Sequence, residues 1–183
     1  MNNEDQTLQQ LKSEIIKEAE KGSAFLYAGA MYWLMMGLLS LFIESDQLLA
    51  LCYLVGLGSI FPLAILISRL LQANLFSKNP LGELSGITGG IQAFYLLIWI
   101  ILYIENYQLL PTAIGVLAAS HFLPYIWIYN SKTYGYFTVL TAAVSLIFGY
   151  IFIEQAFISL PFLLASVYIL TVVGLTFETK SVH

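Results

Sequence analysis

Residues 48–68 read LLALCYLVGLGSIFPLAILIS, twenty-one residues without one charge. At about 1.5 Å of rise per residue, a helix of that length crosses the roughly 30 Å of hydrocarbon in a bilayer. The same composition recurs on both sides of it. Apolar stretches of spanning length fill 24–43, 87–104, 109–129, 133–153 and 156–177, and His121 is the one acidic, basic or imidazole side chain within them. The sequence therefore predicts an all-α fold, a polytopic membrane protein built as a six-helix transmembrane bundle.

Composition agrees with that reading. Hydrophobic residues make up 59% of the chain and charged residues 10%, against about 25% charged in a soluble domain. Mean hydropathy is +0.81. A soluble fold of 183 residues cannot hide so much apolar surface, because its surface grows almost as fast as its mass. The net charge of −4, from 11 acids and 7 bases, leaves no basic footprint for nucleic acid. The single cysteine, Cys52, lies inside an apolar run and reads as a small hydrophobe, since nothing nearby would stabilise a thiolate. The first 22 residues carry eight charges and no apolar core, so no cleavable signal peptide is read there.

The separators between spans are short on one side, at 44–47, 105–108 and 154–155. The other side has the N-terminal segment, a longer 69–86 connector, 130–132 and a tail at 178–183. All seven bases, Lys12, Lys17, Lys21, Arg69, Lys78, Lys132 and Lys180, fall on this terminal side. Part of that bias follows from length. The local pattern is more telling, because three lysines precede the first span while Glu44, Asp46, Glu105 and Glu154 occupy the opposite side. Both termini are therefore expected to be cytoplasmic. Trp127, Tyr129, Tyr134 and Tyr136 are expected at the cytoplasmic interface, and Trp99, Tyr103 and Tyr107 toward the opposite one.

Residues 1–23 are expected to form a short cytoplasmic amphipathic helix, running over 4–21. Leu8, Leu11, Ile15 and Ala19 fall on one face at helical spacing, and Thr7 with Gln10 can form a capping box. Five acids against three lysines in this segment favour packing on the protein's own loops, or on a partner, over anionic lipid.

His121 carries the main chemical interest. An ionisable side chain in mid-membrane is either functional or hydrogen-bonded across helices, because lipid exposure is costly. Its imidazole could relay protons. A metal centre would need further His, Cys or carboxylate ligands, and none accompanies it within the spans. Pro124, three residues on, is expected to kink the helix and free carbonyls beside the ring. The prolines at 62 and 161 are expected to interrupt the second and sixth helices likewise. Gln92 and Tyr125, with Ser120 beside the histidine, complete a candidate polar site. Small residues four apart at 24/28, 86/90, 115/119 and 145/149 are expected to let helices approach closely. No cofactor, metal or catalytic set is read. There is no nucleophile elbow, zinc-protease or phosphate-loop motif. No carboxylate lies within the spans, where proton- or sodium-coupled carriers usually bury one.

The stretch His121-Phe122-Leu123-Pro124-Tyr125-Ile126-Trp127-Ile128-Tyr129-Asn130-Ser131-Lys132-Thr133-Tyr134, with Asn79-Pro80-Leu81 upstream, resembles a family of uncharacterised bacterial six-pass membrane proteins of similar length. The resemblance implies a bacterial inner membrane and adds no activity. Three functional classes stay open. One is a small transport or permease-like protein with His121, Gln92 and Tyr125 as its polar lining. The second is an accessory or scaffold protein without a site of its own. The third is the substrate-binding subunit of an energy-coupling-factor transporter, for which Ala24 and Ala28 resemble the docking motif on the first helix. The expected partners are the lipid bilayer and either a second copy or another membrane protein.

Overall fold

The computed structural model describes residues 7–180. The expected helix start at 4–6 and the tail end at 181–183 lie outside the described residues. Among those described there are helices and no strands. In chain order they are α1 (Leu8–Glu18), α2 (Ser23–Ser40), α3 (Asp46–Leu71), α4 (Pro80–Gly90), α5 (Gln92–Asn106), α6 (Leu110–Ser120), α7 (Leu123–Ile128), α8 (Lys132–Leu146) and α9 (Ser159–Lys180).

Five helical stretches are long and apolar enough to cross a membrane, and the longest runs Pro80–Ile128. That stretch folds back on itself. Asn106 leaves the helical region at φ −157°, ψ 75°, and beyond it Ser120 meets Tyr95, His121 meets Gln92 and Tyr125 meets Ser85. One partner's number falls as the other's rises, so α4–α5 and α6–α7 are antiparallel passes. The membrane bundle therefore has the six passes expected.

Several boundaries differ for physical reasons. The third pass begins at Pro80, not at 87, because Asn79 caps it by accepting from the Leu81 amide at 2.9 Å. Pro80 then fills a first-turn position where a missing N–H costs nothing. Half of the expected connector is therefore helix. Pro62 does not interrupt its helix, since α3 runs unbroken through it. Pro161 stands in the first turn of α9, which is why that helix starts at Ser159 and not at 156. Of the three prolines, Pro124 alone coincides with a tightened turn, at His121–Phe122 between α6 and α7.

Helix α2 lies at the centre, packed on α9 and α3. Helix α8 joins α6 to α9. Three of the four small-residue pairs do what was expected of them: Ala24 with Ala28, Gly115 with Ala119, and Ser145 with Gly149 are buried between helices. A β-carbon on Gly29 would overlap the Tyr168 ring, and one on Gly149 would overlap Thr112. Helices α3 and α5 turn large apolar side chains outward, among them Val55 and Phe94. Such a belt suits hydrocarbon and would be a liability in water.

The expected capping box forms, with Thr7 N–H donating to Gln10 Oε1 at 2.8 Å and Gln10 N–H to Thr7 Oγ1 at 3.4 Å. The helix ends at Glu18, short of the expected Lys21, because Glu20, Lys21 and Gly22 take φ values of 49°, 51° and 72°. Two of these are not glycine, and each left-handed L-residue costs roughly 1–2 kcal/mol. The turn is held by the Tyr134 hydroxyl, which donates to the Lys21 carbonyl, and by the Lys21–Glu178 ion pair at 3.3 Å. As charge composition suggested, α1 packs on the protein itself. Asn79 Nδ2 donates to the Leu11 carbonyl and to Glu14 Oε2, both at 2.9 Å. The Asn74 amide donates to the Glu18 carbonyl at 2.7 Å.

Candidate functional site

Two of the six passes tighten into short 3₁₀-like turns without leaving helical φ/ψ, and these turns meet. The Ile91, Phe94, Phe122 and Tyr125 N–H groups bond three residues back. Helices α4 and α5 are separate segments joined at Ile91, after Gly89 and Gly90, and α6 and α7 part at His121–Phe122. Gln92 is the first residue of α5, and His121 follows the last residue of α6. The Gln92 amide nitrogen stands 2.8 Å from Nε2 of His121 and 3.2 Å from Nδ1. The contact ties the start of α5 to the α6–α7 junction through either tautomer of the ring. A 3₁₀ turn inside a longer helix often marks a functional hinge or local strain.

Beside this pair lies a cavity of about 810 Å³. Volumes of roughly 300–1,000 Å³ are usual for sites that hold a whole small molecule. One wall is α3 (Val55, Gly58, Phe61), the facing wall is α4 and the start of α5 (Gly86, Gly90, Leu96), and His121, Phe122 and Tyr125 form the back. Ile15 of α1 and the 74–76 segment stand across the end nearest the chain termini. A second, small cavity of about 40 Å³ shares Gln92 and His121 in its lining and is bounded also by Trp33 and Tyr168.

The back wall is aromatic and rigid. The Phe122 ring stacks on Tyr134 at 5.8 Å, and Tyr129 stacks on both Tyr125 and Tyr134 at 5.4 and 5.9 Å. The Tyr125 hydroxyl donates to the Ser85 carbonyl at 2.9 Å, tying α7 to α4 across the cavity. Of the residues singled out from sequence, His121, Gln92 and Tyr125 thus converge on one cavity. Ser120 does not. Its hydroxyl donates to the Leu117 carbonyl at 2.7 Å and meets the Tyr95 hydroxyl at 3.1 Å, because successive helical residues point in different directions.

Residues 8–178 match the model of DUF7010, described as a family of unknown function. The chain belongs to the DUF7010 family. No curated protein and no solved structure matches it.

The DUF7010 fold also holds site features that the sequence did not announce. Gly86 and Gly90, expected to pack a helix, face open space instead: a β-carbon on either would meet nothing within 4 Å. Trp99, expected toward an interface, is 3% exposed and lines the cavity, and its indole N–H has no partner in the structure. Tyr129 and Tyr134, also expected at an interface, are buried in the aromatic wall, while Trp127 and Tyr136 stay exposed. Nothing in the sequence separates these two pairs, since burial here depends on which face of α7 and α8 meets α4. Ala24 and Ala28 are fully buried within the bundle, so they present no face on which another protein could dock.

Proposed function

We propose that this DUF7010 protein is a small permease-like membrane protein that binds a small molecule in the cavity beside His121 and Gln92. The observation that carries the reading is the meeting of two tightened helix turns at a hydrogen-bonded imidazole–amide pair, on the wall of a cavity large enough for a ligand. Both residues lie at tightened turns within longer helical passes, a local irregularity that often marks a functional hinge. Among the described residues lining the cavity there is no carboxylate. Coupling of transport to a proton or sodium ion through a buried acid therefore has no carrier in this cavity.

The setting proposed is a bacterial inner membrane with both termini in the cytoplasm, on the strength of the lysines before α2 and the acids on the opposite side. In a Cys52→Ala background, cysteines at Ser45 and Lys132 should react with an impermeant thiol reagent from opposite faces. Labelling of both from outside the cell would overturn that orientation.

Binding is tested by native mass spectrometry of the full chain, purified in mild detergent from its own membrane. The expected result is a retained small molecule, lost from His121→Ala and from Gln92→Ala while both variants remain folded. A bare protein, or one that carries a protein partner and no small molecule, would favour the accessory role instead.

A further inference from the structure

We infer that the cavity's ligand is an uncharged amphiphile that enters sideways from the bilayer, between α3 and α4. This rests on the binding reading above and names the class of molecule. The first observation is charge. Twenty-seven residues line the cavity, and none is Asp, Glu, Lys or Arg. The one imidazole is paired with the uncharged amide of Gln92. A carboxylate, phosphate or ammonium group drawn into such a site would lose its hydration with no partner charge in return, a cost that excludes ionic cargo.

The second observation is the opening. Helix α4 packs on α1, α5 and α7, while α3 packs on α2, α5 and α6. Between α3 and α4 lies the cavity. Its two facing rims carry glycines, Gly58 on α3 and Gly86 with Gly90 on α4, and a β-carbon at any of the three would meet only open space. The outer surface on either side is apolar and exposed, with Val55 and Phe61 on one rim and Ile87 on the other. The end nearest the termini is crossed by α1 and the 74–76 segment. A molecule dissolved in lipid meets an apolar gap, whereas a solute from water meets α1.

The third observation is the polar complement. Gln92 and His121 are the polar side chains beside the aromatic back wall, in a lining that is otherwise mostly aliphatic and aromatic. A hydroxyl or carbonyl head group on an otherwise apolar body fits that lining, and the aromatic back wall fits the body.

The test is photolabelling of the full chain in lipid nanodiscs with two diazirine probes of equal length, dodecanol and dodecanoate, at mildly alkaline pH. Adducts are mapped by peptide mass spectrometry. The neutral probe should label Leu57, Phe122 and Tyr125 of the cavity lining saturably, with at least about tenfold preference over the carboxylate, since the latter finds no counter-charge. Gly86→Leu should remove these adducts and leave those on the outward residues Val139 and Leu170 unchanged. Equal or stronger cavity labelling by the carboxylate would overturn the uncharged class. Cavity labelling that does not saturate, or that survives Gly86→Leu, would mean that an ordinary lipid tail fills the gap, and would overturn it too. If neither probe reaches the cavity while His121-dependent retention of a water-soluble molecule is seen, lateral access fails and the binding reading stands. If nothing is retained and nothing labels, both fail together.

Discussion

Glu178→Ala should lower the stability of the bundle by about 1–3 kcal/mol, the cost of leaving Lys21 and the Ser131 and Thr133 donors without their carboxylate. Glu178 closes the terminal end of α9. Its Oε2 pairs with Lys21 Nζ at 3.3 Å and accepts from Ser131 Oγ at 2.6 Å. Its Oε1 accepts from the Thr133 amide and hydroxyl at 2.9 and 2.8 Å. One carboxylate thereby joins α9, the start of α8 and the left-handed turn that leads into α2. It sits near a helix C-terminus, where the helix dipole disfavours negative charge. Its partners must offset that, and their number shows how the site does so.

Truncation leaves Lys21, whose side chain is 8% exposed, as a buried cation with no counter-charge. It also removes one of the two contacts that hold Lys21 at positive φ. Lys21→Met should cost less, because Glu178 then keeps its three hydrogen bonds and the Met stem preserves the packing. Thermal unfolding in mild detergent, followed by the recovered monodisperse fraction, checks both. Equal losses for the two variants would show that the pair, and not the carboxylate's hydrogen-bond set, holds the end together.

How much of this was legible beforehand depended on the range of the physics involved. The six passes were legible because hydropathy is a property of each segment alone. So were the Thr7–Gln10 cap and the tightened turn near Pro124, which need only neighbours along the chain. The turn at Ile91 was hidden, because three nearby glycines read equally well as a packing face. His121 and Gln92 stood out as polar residues in apolar helices, yet their contact required two such turns at matching depth, which no local pattern encodes. Glu178 and Lys21 are 157 residues apart in sequence. Each reads alone as an ordinary charge at a membrane boundary, and only the packing of α9 against α2 makes them a partly buried pair. The proline reading failed at 62 and 161 for a related reason. Proline's penalty depends on where in the helix it falls and on what neighbouring helices supply, and the sequence shows neither.

The glycines give the sharpest contrast between spacing and role. Gly86 and Gly115 each begin a small-residue pair four apart, and the two pairs look alike in the sequence. In the structure they are opposites. A β-carbon at Gly115 would overlap the Ser145 hydroxyl and come within 3.1 Å of its Cβ and 3.2 Å of Leu164 Cδ1. These atoms belong to α8 and α9, which are themselves buried against α6 and α2, so no neighbour can move aside alone. Gly115→Leu should therefore cost about 3 kcal/mol or more, at the upper end of overpacking in a dense core. Gly86→Leu meets open space inside a helix. It should leave the fold as stable as before, or firmer by up to about 1 kcal/mol from better helix propensity. What it removes is volume, because the new side chain stands in the gap between α3 and α4. Melting temperature and ligand retention, measured on both variants, separate the two effects. Loss of stability at Gly86 comparable to that at Gly115 would mean that α4 packs where the structure leaves a cavity, and the binding site would lose its wall. Retained stability with lost binding would show that the glycines of α4 are there to keep a space empty for something else to fill.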